Sequence, residues 1–236
     1  MIFAVSTRRP MGTEREVPNP CSGHYVDHFA RYHFAMGWVM GKTVLDVGCG
    51  TGYGADAMAR AARRVVGLDR AEEAIRYATT HYRQANLQYL KMDCRALGFR
   101  DASFDAVTSF EVFEHLPPDD TAWYLQEIVR VLKHGGIAVI STPNGTVEAA
   151  TFADIKGFNP FHLNLLTPKA FRRTLRRFFP EVVLYGQRRQ MPPLPSLLKR
   201  LDLFNLRLFL SNRARERMLE AMGGNAAVPA LRDVVI

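Results

Sequence analysis

Cysteine and tryptophan are scarce in this chain: Cys21, Cys49 and Cys94 are its only cysteines, and it has two tryptophans in 236 residues. The cysteines stand far apart and never in paired spacing. A disulfide framework or a cysteine-based zinc site is therefore not expected, and a reducing cytoplasm is the default setting. No window approaches the ~20 consecutive apolar residues that a membrane span needs. The opening "MIFAVSTRRPMGTERE" puts no positive region ahead of its short apolar start, so no export signal is expected. Internal repeats and low-complexity tracts are also absent. What remains is 47% hydrophobic and 23% charged, ordinary for a soluble globular protein. A chain of this length supports one α/β domain with elaborations, burying roughly 70% of its unfolded surface.

The net charge of +8 is unevenly placed. Between Lys169 and Arg217, thirteen Lys and Arg stand against Glu181, Asp202 and Glu216, a local balance of +10 that leaves −2 for the rest. Arg172, Arg173, Arg176 and Arg177 recur on one face of a predicted helix whose other face carries Phe171, Leu175 and Phe178. A solvated helix face explains this as well as attraction to an acidic acceptor does. A peripheral contact with an anionic membrane, helped by the apolar segment from Leu194 to Leu210, is a third reading. Nucleic acid is not expected as a partner, because aromatics are not interleaved with the basic residues as stacking platforms.

Hydrophobic patterning divides the chain into a loose arm (1–20), a main domain (21–190) and a basic, apolar extension (191–236) packed on the same domain. Ser22 is placed to cap a helix reaching Met40, with Tyr25, Phe29, Tyr32, Met36 and Val39 stepping by four and three along one face. Strand-like runs follow at Thr43–Val47, Val65–Asp69, Leu87–Met92, Phe104–Phe110 and Ile137–Thr142, with helices at Gly54–Ala62, Ala71–Tyr82 and Asp119–Leu132 between them. Such alternation means βαβ units, hence a parallel sheet covered on both faces. His134–Gly136 is expected to stop the last of these helices. Thr167-Pro168 opens another helix, and Glu181–Tyr185 reads as a sixth strand.

The chemistry starts at "VLDVGCGTGYGADAMA", Val44 to Ala59. Glycines between a strand and a helix let a ligand approach bare backbone at a helix N-terminus. Gly50-x-Gly52-x-x-Ala55 satisfies the dinucleotide fingerprint, and Asp69 lies near the distance of a ribose-binding acid. The same letters fit a cationic adenosyl sulfonium. Asp46, two residues before Gly48, would face a pyrophosphate unfavourably but suits a cationic methionyl group, directly or through water. Asp93, in Met92–Cys94, could read an adenine amino group. Parallel sheets bind ligands beyond the carboxyl ends of their strands, where these residues should converge.

"VLDVGCGTGYG", "VVGLD", "MDCRAL", "SFDAVTSFEVFEHL" and "LQEIVRVLKHGGIAVISTPN" resemble the successive motifs of class I S-adenosylmethionine-dependent methyltransferases. The resemblance runs from about Tyr25 to Phe179. It implies a Rossmann-like α/β fold: a seven-stranded, mostly parallel sheet with helices on both faces, an N-terminal cap helix and a C-terminal helical extension. It implies S-adenosylmethionine as cofactor, lined by Gly48, Cys49, Gly50, Asp69, Asp93 and Cys94, with Phe110 or Glu111 beside the reacting methyl. Cys94 is expected to offer its backbone amide. The cap helix would bring Tyr25, Arg31 or Tyr32 to the cofactor.

Methyl transfer needs alignment and desolvation first, and a base only for an acceptor such as a hydroxyl. Glu111, Glu114 and His115 form an E-x-x-E-H cluster that resembles ubiquinone-pathway O-methyltransferases. There it implies a divalent metal near the acceptor, and two carboxylates with one imidazole would suit Mg²⁺ or Mn²⁺. His162, in "GFNPFHLNLLTP", resembles an acceptor-wall element of relatives that carry a glutamate three residues later, where this chain has Leu165. The expectation is O- or N-methyl transfer to a small-molecule, glycan or lipid-linked acceptor, with Glu111, His115 and His162 as catalytic candidates and a histidine-assisted step that does not require the metal. A non-catalytic subunit that binds the adenosyl ligand is the alternative.

Overall fold

The computed structural model describes residues 23–146 and 160–187, with side chains from Tyr25 onward. The 1–20 arm, Ser22, Cys21 and the 191–236 extension lie outside them. The chain divides into two compact units, Met1–Leu184 and Tyr185–Ile236.

The elements of the first unit are α1 (Gly23–Val39), β1 (Thr43–Val47), α2 (Tyr53–Ala59), β2 (Arg64–Asp69), α3 (Glu72–His81), β3 (Leu87–Lys91), β4 (Phe104–Phe110), α4 (Thr121–Val131), β5 (Leu132–Ser141) and α5 (Pro168–Leu175). Two single 3₁₀ turns, Phe113–His115 and Pro118–Asp120, sit between β4 and α4. The strands pair in the order β3-β2-β1-β4-β5, every pair parallel. The three inner strands β2, β1 and β4 are buried along nearly their whole length, as parallel strands covered on both faces are.

Side chains alternate across the sheet, so each strand feeds two cores. Val44, Val65 and Ala106 face one layer with Tyr32, Met58 and Ala55, beneath α1 and α2. Leu45, Val47, Leu68 and Val107 face the other, with Phe113, Leu125, Ile128 and Phe171 from the α4 and α5 side. The α1 stripe read from the sequence packs into the first core: Tyr32 and Val39 are buried, and Tyr25, Phe29 and Met36 pack against them. Thr167 caps α5, its hydroxyl accepting from the Ala170 amide at 3.3 Å, and Pro168 occupies the first turn.

Three expectations are corrected. The sheet has five strands among the described residues, not seven, and none of its pairs is antiparallel. Glu181–Tyr185 is not a strand; Val182 and Leu184 pack against the core, but the segment joins no ladder. His134–Gly136 does not separate a helix from a strand. Helix α4 ends at Val131, and the two glycines fall inside β5, where Gly135 has φ +74° and the register against β4 shifts between Phe104 and Ala106. A left-handed glycine at a register shift is how a bulge is accommodated.

Candidate active site

The strand order reverses between β1 and β4, and the loops leaving these two strands meet at the carboxyl edge of the sheet. Open parallel sheets form their ligand crevice at this switch point. After β1 the chain places Gly48, Gly50 and Gly52 all at positive φ, +74°, +54° and +88°. Two of these glycines serve packing. A Cβ at Gly48 would overlap Val112 from the β4 loop, and one at Gly52 would lie 2.6 Å from Ala78 and 2.8 Å from the Tyr89 ring. At Gly50 nothing lies within 4 Å of that position, so here the bare backbone faces the crevice.

The loop amides are already engaged. Gly48 and Cys49 both donate to the Leu68 carbonyl at 2.8 Å, and Gly52 donates to Cys49 O at 3.0 Å. Gly50 donates to Asp69 Oδ2 at 3.1 Å. A pyrophosphate is held by such amides, so this loop suits a dinucleotide poorly. Asp69, nearly buried at the end of β2, also accepts from Ala71 N at 2.9 Å. Its carboxylate thus orients the glycine loop from the position at which a ribose-binding acid is expected.

Asp46 lies beneath the loop, fully buried. Its Oδ1 accepts from Thr108 Oγ1 at 2.7 Å and its Oδ2 from the Tyr32 hydroxyl at 3.2 Å. Burial pushes its pKa up to about 7, against the two hydrogen bonds, which lower it. Both oxygens of Asp46 are thus engaged by side chains of the protein, Thr108 from β4 and Tyr32 from α1. The Tyr32 ring in turn packs edge-on to Phe110, centroids 4.8 Å apart, and lies where a Cβ of Gly54 would be. Tyr25 packs on Tyr53 at 5.0 Å, and Tyr53 OH bonds His28 Nδ1 at 2.9 Å. Helix α1 thus touches the end of β1, the start of α2 and the end of β4 through Tyr25 and Tyr32.

Asp93 is turned elsewhere. Arg95 binds both of its oxygens, Nε to Oδ1 at 2.9 Å and Nη2 to Oδ2 at 2.6 Å, and bridges to Asp120 at 2.6 Å. These bonds lower its pKa. The carboxylate expected to read an adenine amino group lies in a part-exposed ion cluster with Arg95 and Asp120. Cys94 packs partly buried against the second core, and burial pushes its thiol pKa up to about 12, leaving it a neutral thiol.

After β4 the chain turns at Glu111, a non-glycine residue with φ +55°. Backbone strain of this kind collects at functional sites. Glu111 Oε1 accepts from Ser141 Oγ at 2.8 Å and lies 3.4 Å from Arg31 Nη1. Arg31 thereby ties α1 to the acceptor side. Glu114 is fully buried; its Oε2 accepts from Thr142 Oγ1 at 3.1 Å, and its Oε1 has no hydrogen-bond partner. Burial, then the Glu111 charge, holds its carboxyl well above the usual range. The amides of Leu163 and Asn164 donate to the Glu114 carbonyl at 2.7 and 3.0 Å, which pins the His162 segment here. His115 Nδ1 bonds the Phe161 carbonyl at 3.0 Å, its Nε2 lies 4.0 Å from Glu114 Oε1, and its ring stands edge-on to His162 at 5.2 Å.

A metal-binding set of Glu111, Glu114 and His115 does not fit. Glu111 already lies beside a cation, Arg31, and the donor atoms that converge within 4.8 Å are those of Glu114, His115 and His162. One oxygen and two imidazole nitrogens are not the oxygen-rich set that Mg²⁺ requires. Sequence reading missed Thr108, Ser141 and Thr142. Ser141 at the end of β5 and Thr142 just after it, in "ISTPN", had a signal, since polar residues at a strand's carboxyl end border the crevice. Thr108 had none, being followed by Ser109 inside a buried strand.

Residues 45–140 match the family model described as a methyltransferase domain. A Mycolicibacterium smegmatis protein, named a probable S-adenosylmethionine-dependent methyltransferase, is 36% identical over 163 residues, covering 67% of this chain and 60% of its own. A ubiquinone biosynthesis O-methyltransferase of Paracidovorax citrulli is 39% identical over 128 residues, 50% of this chain and 53% of its own. The chain spans little more than half the length of these curated relatives. Among solved structures, PH0226 of Pyrococcus horikoshii superposes with a TM-score of 0.59 at 19% identity, covering 73% of this chain and 88% of its own. Magnesium protoporphyrin IX methyltransferase of Synechocystis gives 0.55 at 20% identity, over 69% and 75%. These two likenesses speak for the fold alone. Fold, ordered motifs and family match coincide over the same residues: the chain carries a methyltransferase domain of the class I S-adenosylmethionine-dependent family.

Proposed function

We propose that this protein transfers the methyl group of S-adenosylmethionine to a hydroxyl oxygen of a small-molecule, glycan or lipid-linked acceptor. The observation that carries the choice of oxygen is the Glu114–His115–His162 cluster, placed after β4 on the same sheet edge as the glycine loop. A hydroxyl must lose its proton as it attacks, and this cluster supplies the polar groups that ease that loss. An amine that attacks as the free base needs no such assistance. The name of the Paracidovorax relative, an O-methyltransferase, agrees.

The cofactor brings the activated carbon, and the chain's own task is to align and desolvate it, an effect that contributes ~7–11 kcal/mol in well-oriented reactions. Gly50 offers open backbone, Asp69 the ribose acceptor, and Tyr25, Arg31 and Phe110 the wall toward the methyl. Exposed Arg172, Arg173, Arg176 and Arg177 on and just after α5 favour an acidic acceptor.

The test is a labelled methyl donor offered with matched panels of hydroxyl and amine acceptors. Label on oxygen, reduced in His162→Gln, is the expected result. Label only on nitrogen would overturn the choice of atom, and cofactor binding without turnover across a metabolite extract would favour a binding subunit.

A further inference from the structure

We infer that Glu114, His115 and His162 bind a late first-row divalent cation of the zinc class, in place of the Mg²⁺ set that the E-x-x-E-H motif suggests. The inference deepens the proposed O-methyl transfer, but its test reads metal binding and not turnover.

Three observations converge. Glu114 is fully buried, and Thr142 holds Oε2 while Oε1 has no partner and points at the histidines. An orphaned carboxylate oxygen at that depth costs free energy unless a cation or a proton meets it. His115 donates through Nδ1 to the Phe161 carbonyl, which can only accept, and its Nε2 lies 4.0 Å from Glu114 Oε1. That arrangement of ring, backbone carbonyl and outward Nε2 is the outer-shell support typical of a metal-binding histidine. Finally, one donor atom from each of the three residues lies within 4.8 Å of the others. Ligands on a tetrahedral zinc sit about 3.4 Å apart, so small side-chain rotations close the site.

The supporting bonds point the same way. Leu163 N and Asn164 N anchor the His162 segment on the Glu114 carbonyl, and buried Asn164 donates to Thr121 Oγ1 at 2.9 Å. His162 is thus brought in from 47 positions further along the chain than His115, by hydrogen bonds that do not involve its ring. Glu111 stays outside, engaged by Arg31 and Ser141. Two imidazoles and one carboxylate match zinc, or cobalt as its visible stand-in, far better than magnesium. When bound, such an ion acidifies a coordinated hydroxyl.

The experiment titrates the full-length, chelator-stripped protein with Co²⁺, following the visible d–d absorption, with S-adenosylhomocysteine binding and thermal melts as checks of folding. One equivalent is expected to bind, to be displaced by Zn²⁺ and to be unmoved by a large excess of Mg²⁺. Glu114→Gln and His162→Gln should each weaken binding more than the ~10–100-fold that losing an outer-shell partner costs. Glu111→Gln should retain wild-type affinity. Should Glu114→Gln fail to fold, His162→Gln, on a part-exposed loop, carries the test. Absence of saturable Co²⁺ binding, wild-type affinity in His162→Gln, or an equal loss in Glu111→Gln would each overturn the site.

Discussion

Replacing Gly54 by alanine should destabilise the protein, against the ordinary rule for a helix. In an open helical position Gly→Ala stabilises by ~1 kcal/mol. At Gly54, in the first turn of α2, the new methyl would coincide with the Tyr32 ring. That ring is 2% exposed, donates to the buried Asp46 and packs edge-on against Phe110. Overpacking costs ~1–3 kcal/mol, a displaced hydrogen bond to a charged group ~1.5–3, and a lost aromatic pair ~0.5–1.5. After the propensity gain is subtracted, a net loss of about 2–6 kcal/mol remains, which lowers Tm by roughly 5–20 °C in a chain of this size. Gly37, inside α1, is the control: nothing lies within 4 Å of its Cβ position, so Gly37→Ala should stabilise by ~0.5–1 kcal/mol. Thermal and urea unfolding of both variants decide the matter. A neutral or stabilised Gly54→Ala would refute the packing role given to Tyr32 and with it the link between cap helix and glycine loop.

Asp46 gives a pH signature. Its folded pKa, about 7, lies above the unfolded value of 3.8, so the folded state holds the proton more tightly. Its contribution is present below pH 4 and lost as pH rises through 7, a change of about 4 kcal/mol by linkage. Asp46→Asn should therefore gain on wild type across that window in urea titrations; a constant difference between the two proteins would contradict the buried, ionising carboxyl. Ligand selectivity follows from the loop amides and from Asp46: S-adenosylhomocysteine should raise Tm and NAD should not, and equal thermal shifts with NAD would return the site to the dinucleotide reading.

Much of this architecture was legible because it is local. β1 and β4 are rich in β-forming residues and fall at the residues read from the sequence, and the four-and-three stripe of α1 identifies the face that packs. What stayed illegible depended on a partner distant in sequence or on an unexpected neighbour. Glu181–Tyr185 is rich in β-forming residues, but a strand also needs a ladder partner, which composition does not reveal. Asp93 stands where an adenine-reading acid belongs, yet Arg95, two residues on, binds both its oxygens. Glu111 matches a metal motif, but Arg31 from α1 and Ser141 from β5 engage it first. His162 joins Glu114 and His115 through backbone hydrogen bonds of its own segment, which no spacing rule encodes.

The claim that the crevice between β1 and β4 holds the adenosyl cofactor is tested most directly at Asp69. Its carboxylate is nearly buried at the end of β2 and accepts from Gly50 N and Ala71 N. Hydrogen bonds to charged groups contribute roughly 1.5–3 kcal/mol each, and water recovers part when they are lost. Calorimetric titration of S-adenosylhomocysteine into wild type and Asp69→Ala should show affinity falling by ~10–100-fold in the variant, since 1.4 kcal/mol is a factor of ten. Unchanged affinity in a folded Asp69→Ala would contradict the placement of the cofactor.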